Sequence, residues 1–148
     1  MESDLMPMVL AMRRRGVRVN VKAAEEFEGM ASGEITRLTK ELGGINVGSP
    51  EDLVRLCKKE RIEMKYTEKG NPSFTKDWLK NHPHPAMRKV TEIRTLLKLR
   101  DTFVKGYILG CNINGRIHTS FNQLRSDDSG TVSGRFSSSD PNLQNIPT

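Results

Sequence analysis

The last segment of the chain, residues 131–148, is dense in side chains that form hydrogen bonds. Its sequence, TVSGRFSSSDPNLQNIPT, places one arginine, Arg135, among serines, asparagines and a glutamine, with two prolines that stiffen the backbone. Hydroxyl, amide and guanidinium groups donate or accept hydrogen bonds, and almost nothing in this segment could form a core. A disordered tail usually carries more charge or more repetition. The composition therefore favours an ordered polar surface around Arg135.

Two histidines and two cysteines could in principle bind metal, but their spacing argues against it. His82 and His84 are flanked by prolines and have no third ligand nearby, which favours a role at a helix start. Cys57 and Cys111 lie too far apart along the chain for a zinc motif or a disulfide framework. The sequence therefore predicts no metal site and a reducing, intracellular environment.

The net charge of +6 is concentrated in the middle of the chain. Residues 51–105 carry 14 Lys/Arg against 8 Asp/Glu, whereas the residues before and after that range are balanced. Localised positive charge indicates an anionic partner, with nucleic acid the first candidate. A basic surface that serves only solubility is the alternative. No apolar run approaches the roughly 20 residues of a membrane helix, and the charge order of the first 16 residues is the reverse of a signal peptide.

The hydrophobic pattern predicts mainly helices. A short helix contains Leu5, Val9 and Met12 and ends at Gly16, and VRVN (17–20) is an extended link with Asn20 as a helix cap. Further helices are expected over 21–42, which Gly43-Gly44 ends, and from Ser49-Pro50 onward, with TEKGNPSFT (67–75) as a loop. His84 and Pro85 begin the longest helix, which continues to about Gly110.

The longest helix is amphipathic, with a basic strip beside its apolar face. Val90, Ile93, Leu97, Val104 and Ile108 share one face, and Arg94, Lys98 and Lys105 lie on the neighbouring strip, which Asp101 interrupts. Helices 21–42 and 85–109 are expected to pack as an antiparallel pair. After Gly115, GRIHTSFNQL alternates as a strand, and VSGRF is a possible return strand. One domain is predicted, mainly α with a small β element.

The segment SGRFSSSDPNLQNIP closely resembles a signature of the family A DNA polymerases, the bacterial DNA polymerase I-like group. Ser133 stands where family members carry Thr, and the rest of the motif is intact. GRIHTSFNQ (115–123), TEKGNPS (67–73), the Arg94/Lys98 helix and MRRRGVRV (12–19) match in order and spacing. The long RSDDSGTVSGR loop is similar to the phage branch of the family.

The resemblance implies a helical-hairpin thumb over residues 1–112 that leads into the first palm strands over residues 113–148. Purine N3 and pyrimidine O2 are minor-groove acceptors that all correct base pairs share, so donors there grip DNA without reading its sequence. By resemblance, Arg135 contacts the minor groove at the primer terminus, and Asn142, Gln144 and Asn145 contact the nearby duplex; turn capping is the alternative for the amides. Arg94 and Lys98 match phosphate-contacting residues, and a loop that follows the backbone is matched by Thr67, Lys69 and Ser73. A solvated surface is the alternative for these five residues.

The same resemblance indicates what this segment does not supply. Nucleotidyl transfer in the family uses two Mg²⁺ ions held by aspartates, and these aspartates follow the NIP segment. The fingers helix that binds the dNTP also follows it. Asp127 and Asp128 match neither carboxylate motif, so no catalytic residue is assigned and the chain alone is expected to be inactive. The expected partners are primer–template DNA and a palm-and-fingers half, in cis or as a separate chain. The expected location is the cytoplasm, or the host cytoplasm for a phage protein.

Two other functions remain open on the sequence. One is a stand-alone, non-catalytic DNA-binding module derived from a polymerase thumb. The other is a basic helical-hairpin scaffold that binds proteins, which would leave the closing motif unexplained.

Overall fold

The computed structural model describes residues 2–122 and 136–147, and these residues are mainly helical with short antiparallel strands. The α-helices are α1 (Glu2–Arg15), α2 (Val21–Glu41), α3 (Pro50–Lys59), α4 (Lys76–Asn81) and α5 (Pro85–Leu97), and a π-helix (Lys98–Leu109) continues α5. The strands are β1 (Val17–Arg18), β2 (Lys65–Tyr66), β3 (Pro72–Ser73), β4 (Asn112–Ile113), β5 (Arg116–Ile117), β6 (Ser120–Asn122) and β7 (Ser137–Ser139), followed by a 3₁₀ turn (Leu143–Asn145). The predicted fold class is confirmed.

The chain divides into two compact units. The central unit is Gly29–Arg100, and the flanking unit combines Met1–Glu28 with Asp101–Thr148. The two units are defined by contacts between residues, whereas the predicted thumb and palm are subdomains of the polymerase family. That assignment therefore stays a prediction.

The core of the central unit is formed by side chains from several helices. Leu53, Cys57, Met87, Val90 and Ile93 are essentially inaccessible to solvent, and they belong to α3 and α5. Caps predicted from sequence are present at the starts of α3 and of α2. The Ser49 hydroxyl accepts a hydrogen bond from the backbone N–H of Asp52, and Asn20 Oδ1 accepts one from Ala23 N–H at 3.1 Å.

Helices α2 and α5 run antiparallel, as predicted. Within the central unit, Arg100 Nη1 donates to Ser32 Oγ at 3.2 Å, and Lys89 Nζ lies 2.7 Å from Glu41 Oε2. The end of α2 therefore lies beside the start of α5, whereas the middle of α2 lies beside residues that follow α5. Val90 and Ile93 from the predicted apolar face are buried.

The longest helix changes its geometry at Lys98, which the sequence pattern did not predict. Residues 98–109 form a π-helix, and its bonding includes a 2.8 Å hydrogen bond from Gly110 N–H to Lys105 C=O. A Cβ at Gly110 would lie 2.8 Å from Gly106 C=O, so no larger side chain fits there. A π-helix bonds i to i+5, so the α-helical projection does not hold beyond Lys98.

Three short strands form a sheet in the flanking unit. Strand β5 pairs antiparallel with β1 and β4, with Val17 opposite Ile117 and Ile113 opposite Arg116. Gly16, with φ of +64°, makes the turn between α1 and β1. A Cβ at Gly16 would lie 2.8 Å from Ile117 C=O, so this position requires glycine. The predicted extended link at 17–20 is therefore partly a sheet strand.

Strands β6 and β7 form a separate antiparallel pair, with Ser120 opposite Ser139 and Asn122 opposite Ser137. The predicted strand at 115–124 is thus divided between β5 and β6. The return strand seen in the structure is Ser137–Ser139; residues 132–135 of the predicted VSGRF strand lie outside the described residues.

The segment 67–75 was expected to be a loop, and this prediction was incomplete. The backbone around it forms a β2–β3 hairpin, with Lys65 opposite Ser73 and Tyr66 opposite Pro72. Gly70 has φ of +76° and lies in the turn, and Pro72 is tolerated because the strand is at an edge. The short helix α4 that follows was also missed. Its six residues are too few for a helical period to be recognised.

Among residues 2–122 and 136–147, no helix combines the length and hydrophobicity needed to cross a bilayer.

Candidate nucleic-acid interface

The β2–β3 hairpin of the central unit presents three of the predicted DNA-contacting residues. Thr67 N–H donates to Asn71 C=O at 2.8 Å, and Asn71 N–H donates to Thr67 Oγ1 at 3.2 Å, so Thr67 closes the turn. The Thr67 hydroxyl accepts this bond and can itself still donate one. Lys69 is exposed in the turn, and Ser73 lies half-buried in β3. The hairpin can therefore present a cation and a hydroxyl donor to a phosphate.

Arg94 lies on α5 and is part of the packing of the central unit. Its Nε donates to the backbone carbonyl of Val47 at 2.9 Å, which fixes α5 to the loop before α3. Burial lowers the pKa of Arg94, but an arginine remains charged at neutral pH. The guanidinium has further N–H donors on its terminal nitrogens, which a phosphate could accept from. Arg94 therefore combines a structural bond with terminal donors that a phosphate could use, and its contact with DNA stays a prediction.

The other members of the predicted basic strip differ from Arg94. Lys98 is exposed and lies at the junction between α5 and the π-helix. Lys105, within the flanking unit, forms an ion pair with Glu28 at 3.0 Å. The carboxylate of Glu28 thus engages Lys105 within the flanking unit.

The polar turn of the flanking unit contains Asn142 and Gln144. Asn142 Oδ1 accepts from the backbone N–H of Gln144 at 3.1 Å, so Asn142 caps the 3₁₀ turn. Gln144 Nε2 donates to the carbonyl of Phe136 at 3.0 Å. Turn capping, the alternative for these amides, is therefore observed for Asn142. The Nδ2 of Asn142 is the part of its amide that can donate to DNA.

Asn145 and Arg135 are the two remaining predicted residues of this segment. Asn145 is exposed at the end of the 3₁₀ turn. Arg135, the main minor-groove candidate, lies outside the described residues, so its role stays a prediction.

A buried threonine that the sequence analysis did not identify holds this turn. Thr119 is almost fully buried, and its Oγ1 lies 2.9 Å from Ser139 C=O and 2.8 Å from Pro141 C=O. Ser138, also buried, accepts from Leu143 N–H at 3.1 Å. The signal was present in the sequence: the strand alternation puts Thr119 on the buried face with Ile117, where a hydroxyl must find a partner.

His84 caps the start of α5, as predicted, whereas His82 lies at the end of α4 and accepts a bond from the His84 backbone. His84 Nδ1 accepts from Ala86 N–H at 3.2 Å at the start of α5, and His82 Nδ1 accepts from His84 N–H at 3.2 Å. Within the described parts of the chain, no three His, Cys, Asp or Glu side chains come together to hold a metal ion. These residues therefore do not fit a two-metal centre, and no catalytic step is derived from them.

Comparison with known proteins supports one family along nearly the whole chain. The sequence profile of DNA polymerase family A matches residues 18–148. A DNA-directed DNA polymerase of Pseudomonas phage M6 is 32% identical over 162 positions, and DNA polymerase I of Treponema pallidum is 30% identical over 155. Phage and bacterial relatives are similarly distant, so the phage branch stays a prediction.

A solved structure also matches the whole chain. It is the POL domain of Pol1 from M. smegmatis in complex with DNA primer-template and dNTP, with a TM-score of 0.77 and 28% identity. The match covers 100% of this chain and 27% of that one. The chain spans 24% of the phage M6 protein and 15% of the Treponema protein. On the profile match over residues 18–148, the chain belongs to DNA polymerase family A.

Proposed function

We propose that this chain is the thumb and the start of the palm of a family A DNA-directed DNA polymerase, and that it grips the primer–template duplex. The observation that carries the proposal is the full-length likeness to a polymerase domain solved with primer-template and dNTP. The exposed hairpin turn with Lys69, in the part of the chain that holds the charge excess, is consistent with it.

The proposed grip has two parts. Thr67, Lys69, Ser73, Arg94 and Lys98 contact phosphates, which position a duplex without reading its sequence. Arg135, Asn142, Gln144 and Asn145 donate to minor-groove acceptors near the primer terminus. Template-dependent nucleotidyl transfer, its Mg²⁺ ions and the dNTP site belong to the complete enzyme. Its metal ligands are proposed to lie outside this chain, so the purified 148 residues are expected not to extend a primer.

The test is equilibrium binding of the purified chain to duplexes of unrelated sequence over a range of salt concentrations. Affinity should be the same for all sequences and fall steeply with salt. The double variant Lys69→Ala/Lys98→Ala should reduce the slope of log K against log[salt] by about 2, because each phosphate contact contributes about 0.9. Arg94 is left intact because its replacement would also disturb the fold.

Lys22→Ala/Lys40→Ala is the matched control, since it also removes two positive charges, from exposed side chains of α2 outside the proposed grip. The control should bind as the parent does. The phosphate assignment is wrong if the double variant binds the duplex as tightly as the parent does. It is also wrong if the control loses as much affinity as the double variant.

A further inference from the structure

The flanking unit carries a cluster of arginines that no carboxylate neutralises. Arg13, Arg14, Arg15 and Arg18 are exposed, and Arg116, far along the chain, is half-buried beside them. Among the side chains that the structure describes, those of residues 5–122 and 136–147, no carboxylate forms an ion pair with any of the five. The balanced charge count before residue 51 concealed this cluster, because the acidic residues of that range lie elsewhere in the sequence.

The fold accounts for most of the arginine cluster. Arg116 Nη1 donates to the carbonyls of Arg15 and Gly16 at 3.0 and 3.2 Å, and these bonds cap the end of α1. The arginines at 13–15 form the last turn of α1, where the helix dipole favours positive charge. Arg18 has neither role, because it follows the end of the helix and lies in β1.

Arg18 lies directly opposite Arg116 where β1 pairs with β5. Opposite residues of an antiparallel pair project from the same face, with Cβ atoms about 4.5–5.5 Å apart, and like charges there destabilise the sheet. A neutral or acidic residue at position 18 would avoid this repulsion. An anion held between the two guanidinium groups would replace the repulsion with two attractions.

An open cleft of about 690 Å³ includes this pair of arginines in its lining. Of the lining side chains, all of which the structure describes, only those of Arg18 and Arg116 are charged. Asn114 and Gly115, also in the lining, have φ of +50° and +77° and form the tight turn that leads into Arg116. The volume is in the range of sites for small ligands.

We propose that this cleft binds a phosphate group, and that Arg18 and Arg116 donate to its oxygens. A phosphate is tetrahedral and accepts from donors that arrive from two directions, whereas a carboxylate presents two oxygens in one plane. The amide of Asn114 supplies a further, neutral donor. The phosphate belongs either to a free polyphosphate ligand or to a nucleic-acid strand. None of the residues assigned to the duplex grip lines the cleft, so this site is separate from the proposed grip.

The experiment measures binding to the purified chain by NMR. It follows the backbone amides of Asn114 and Gly115 and the Nε–H groups of Arg18 and Arg116. The probes are inorganic phosphate, inorganic triphosphate and single-stranded oligothymidylate. We expect saturable shifts at these groups with triphosphate and with oligothymidylate, and whichever binds more tightly identifies the source of the phosphate. Oligothymidine with neutral methylphosphonate links should cause no shift, because it lacks the anionic oxygens.

Variants of Arg18 test the contact itself, and Arg116 is left intact because it caps α1. Arg18→Ala should weaken binding of the tighter probe at least about tenfold, because hydrogen bonds to charged groups are the stronger class. Arg18→Lys keeps the charge but lacks the planar fork, so it should recover only part of the affinity. Arg18→Gln replaces the Ala variant if that variant does not fold. Arg55→Ala is the matched control, since it removes the same charge from an exposed side chain of α3, and it should bind as the parent does.

The phosphate site is ruled out if no anionic probe causes saturable shifts at the cleft, or if the methylphosphonate probe binds as oligothymidylate does. Parent-like affinity of Arg18→Lys, or an equal loss in Arg55→Ala, would mean that only diffuse charge attracts the probes, which also overturns the site. Oligoglutamate that binds as tightly as triphosphate would identify an acidic protein segment as the occupant instead. The duplex grip is tested at Lys69 and Lys98, so failure of either result leaves the other standing.

Discussion

A single side chain in this structure can serve both the fold and the proposed DNA contact. Arg94 directs Nε to the Val47 carbonyl and keeps its terminal nitrogens as donors. Asn142 uses Oδ1 as a cap and keeps Nδ2 as a donor. An alanine variant at either residue therefore removes a structural bond and a binding group together, and the variants must be chosen to separate the two.

Replacing Arg94 by Ala should destabilise the chain, whereas replacing Lys69 by Ala should not. The Arg94 variant leaves the Val47 carbonyl without its partner, which costs about 1–3 kcal/mol for a buried acceptor. Substitution at an exposed position such as Lys69 usually changes stability by less than about 0.5 kcal/mol. Urea denaturation of both variants measures the difference. Equal stability of the two would mean that the Arg94–Val47 bond adds nothing to the fold.

At Asn142, Asp and Ala variants should separate capping from DNA binding. Asp caps as well as Asn does, so Asn142→Asp should keep the stability of the parent. It replaces the donating Nδ2 with an anionic oxygen, so its affinity for a duplex should fall at least about tenfold. Asn142→Ala should lose about 1 kcal/mol of stability and also bind less tightly. If the Asp variant binds as tightly as the parent, Asn142 has only its capping role.

At the scale of elements, the sequence predicted what depends on local chemistry. Ser49, Asn20 and His84 lie at the helix starts where capping preferences placed them, and α5 buries Val90 and Ile93 of its predicted apolar face. Features fixed by contacts distant in sequence were missed. The pairing of β1 with β5 joins Val17 to Ile117, and two-residue strands carry no readable alternation.

The sequence proposed members for the candidate site, whose contacts with DNA stay predictions, but it did not reveal their bonding within the fold. The motif pointed to Asn142 and Gln144, yet the division of their amides between turn and solvent depends on Phe136 and on the fold of the turn. Arg94 was assigned correctly to the basic edge of α5. Its bond to Val47 crosses 47 positions of the chain, and no periodic pattern records that contact.

The ion pair between α2 and α5 should make stability depend on pH at acid values. The hydrogen bond from Lys89 and the charges of Lys89 and Arg37 hold the pKa of Glu41 below its usual value. A carboxyl with a depressed folded pKa stabilises above its unfolded pKa of about 4.3 and loses that contribution as pH falls through the folded pKa. The parent should therefore lose stability below about pH 4.3 more steeply than Glu41→Gln.

Thermal unfolding from pH 6 to pH 3 measures this difference. Glu63→Gln, at an exposed position after α3, is the control for the loss of one carboxylate. A Glu41→Gln curve parallel to that of the parent would mean that the Glu41–Lys89 pair does not stabilise the fold.

At the scale of the whole molecule, each compact unit contains one cysteine. Cys57 lies in the core of the central unit and is fully buried, and Cys111 lies in the flanking unit with partial exposure. Burial raises the pKa of the Cys57 thiol, which further lowers its reactivity because the thiolate is the nucleophile. Labelling of Cys57 therefore reports opening of the central unit, and Cys111 serves as an accessible reference thiol.

Thiol labelling of Cys57 should occur only through opening of the central unit. At pH 8 Cys111 should react rapidly and Cys57 slowly, and Cys111→Ser should leave only the slow phase.

Ile93 is 1% exposed in the same core, and Ile→Val at such a site costs about 0.5–1.5 kcal/mol. When the core recloses faster than the open state is labelled, the labelling rate follows the population of the open state. The cost of Ile93→Val then raises the labelling rate of Cys57 roughly 2- to 12-fold, since 1.4 kcal/mol is a factor of ten. Ile113→Val, the same change at a 60% exposed residue, should leave the rate unchanged. Rapid labelling of Cys57 in the parent, or equal rates in the two valine variants, would mean that the thiol is reached without opening of this core.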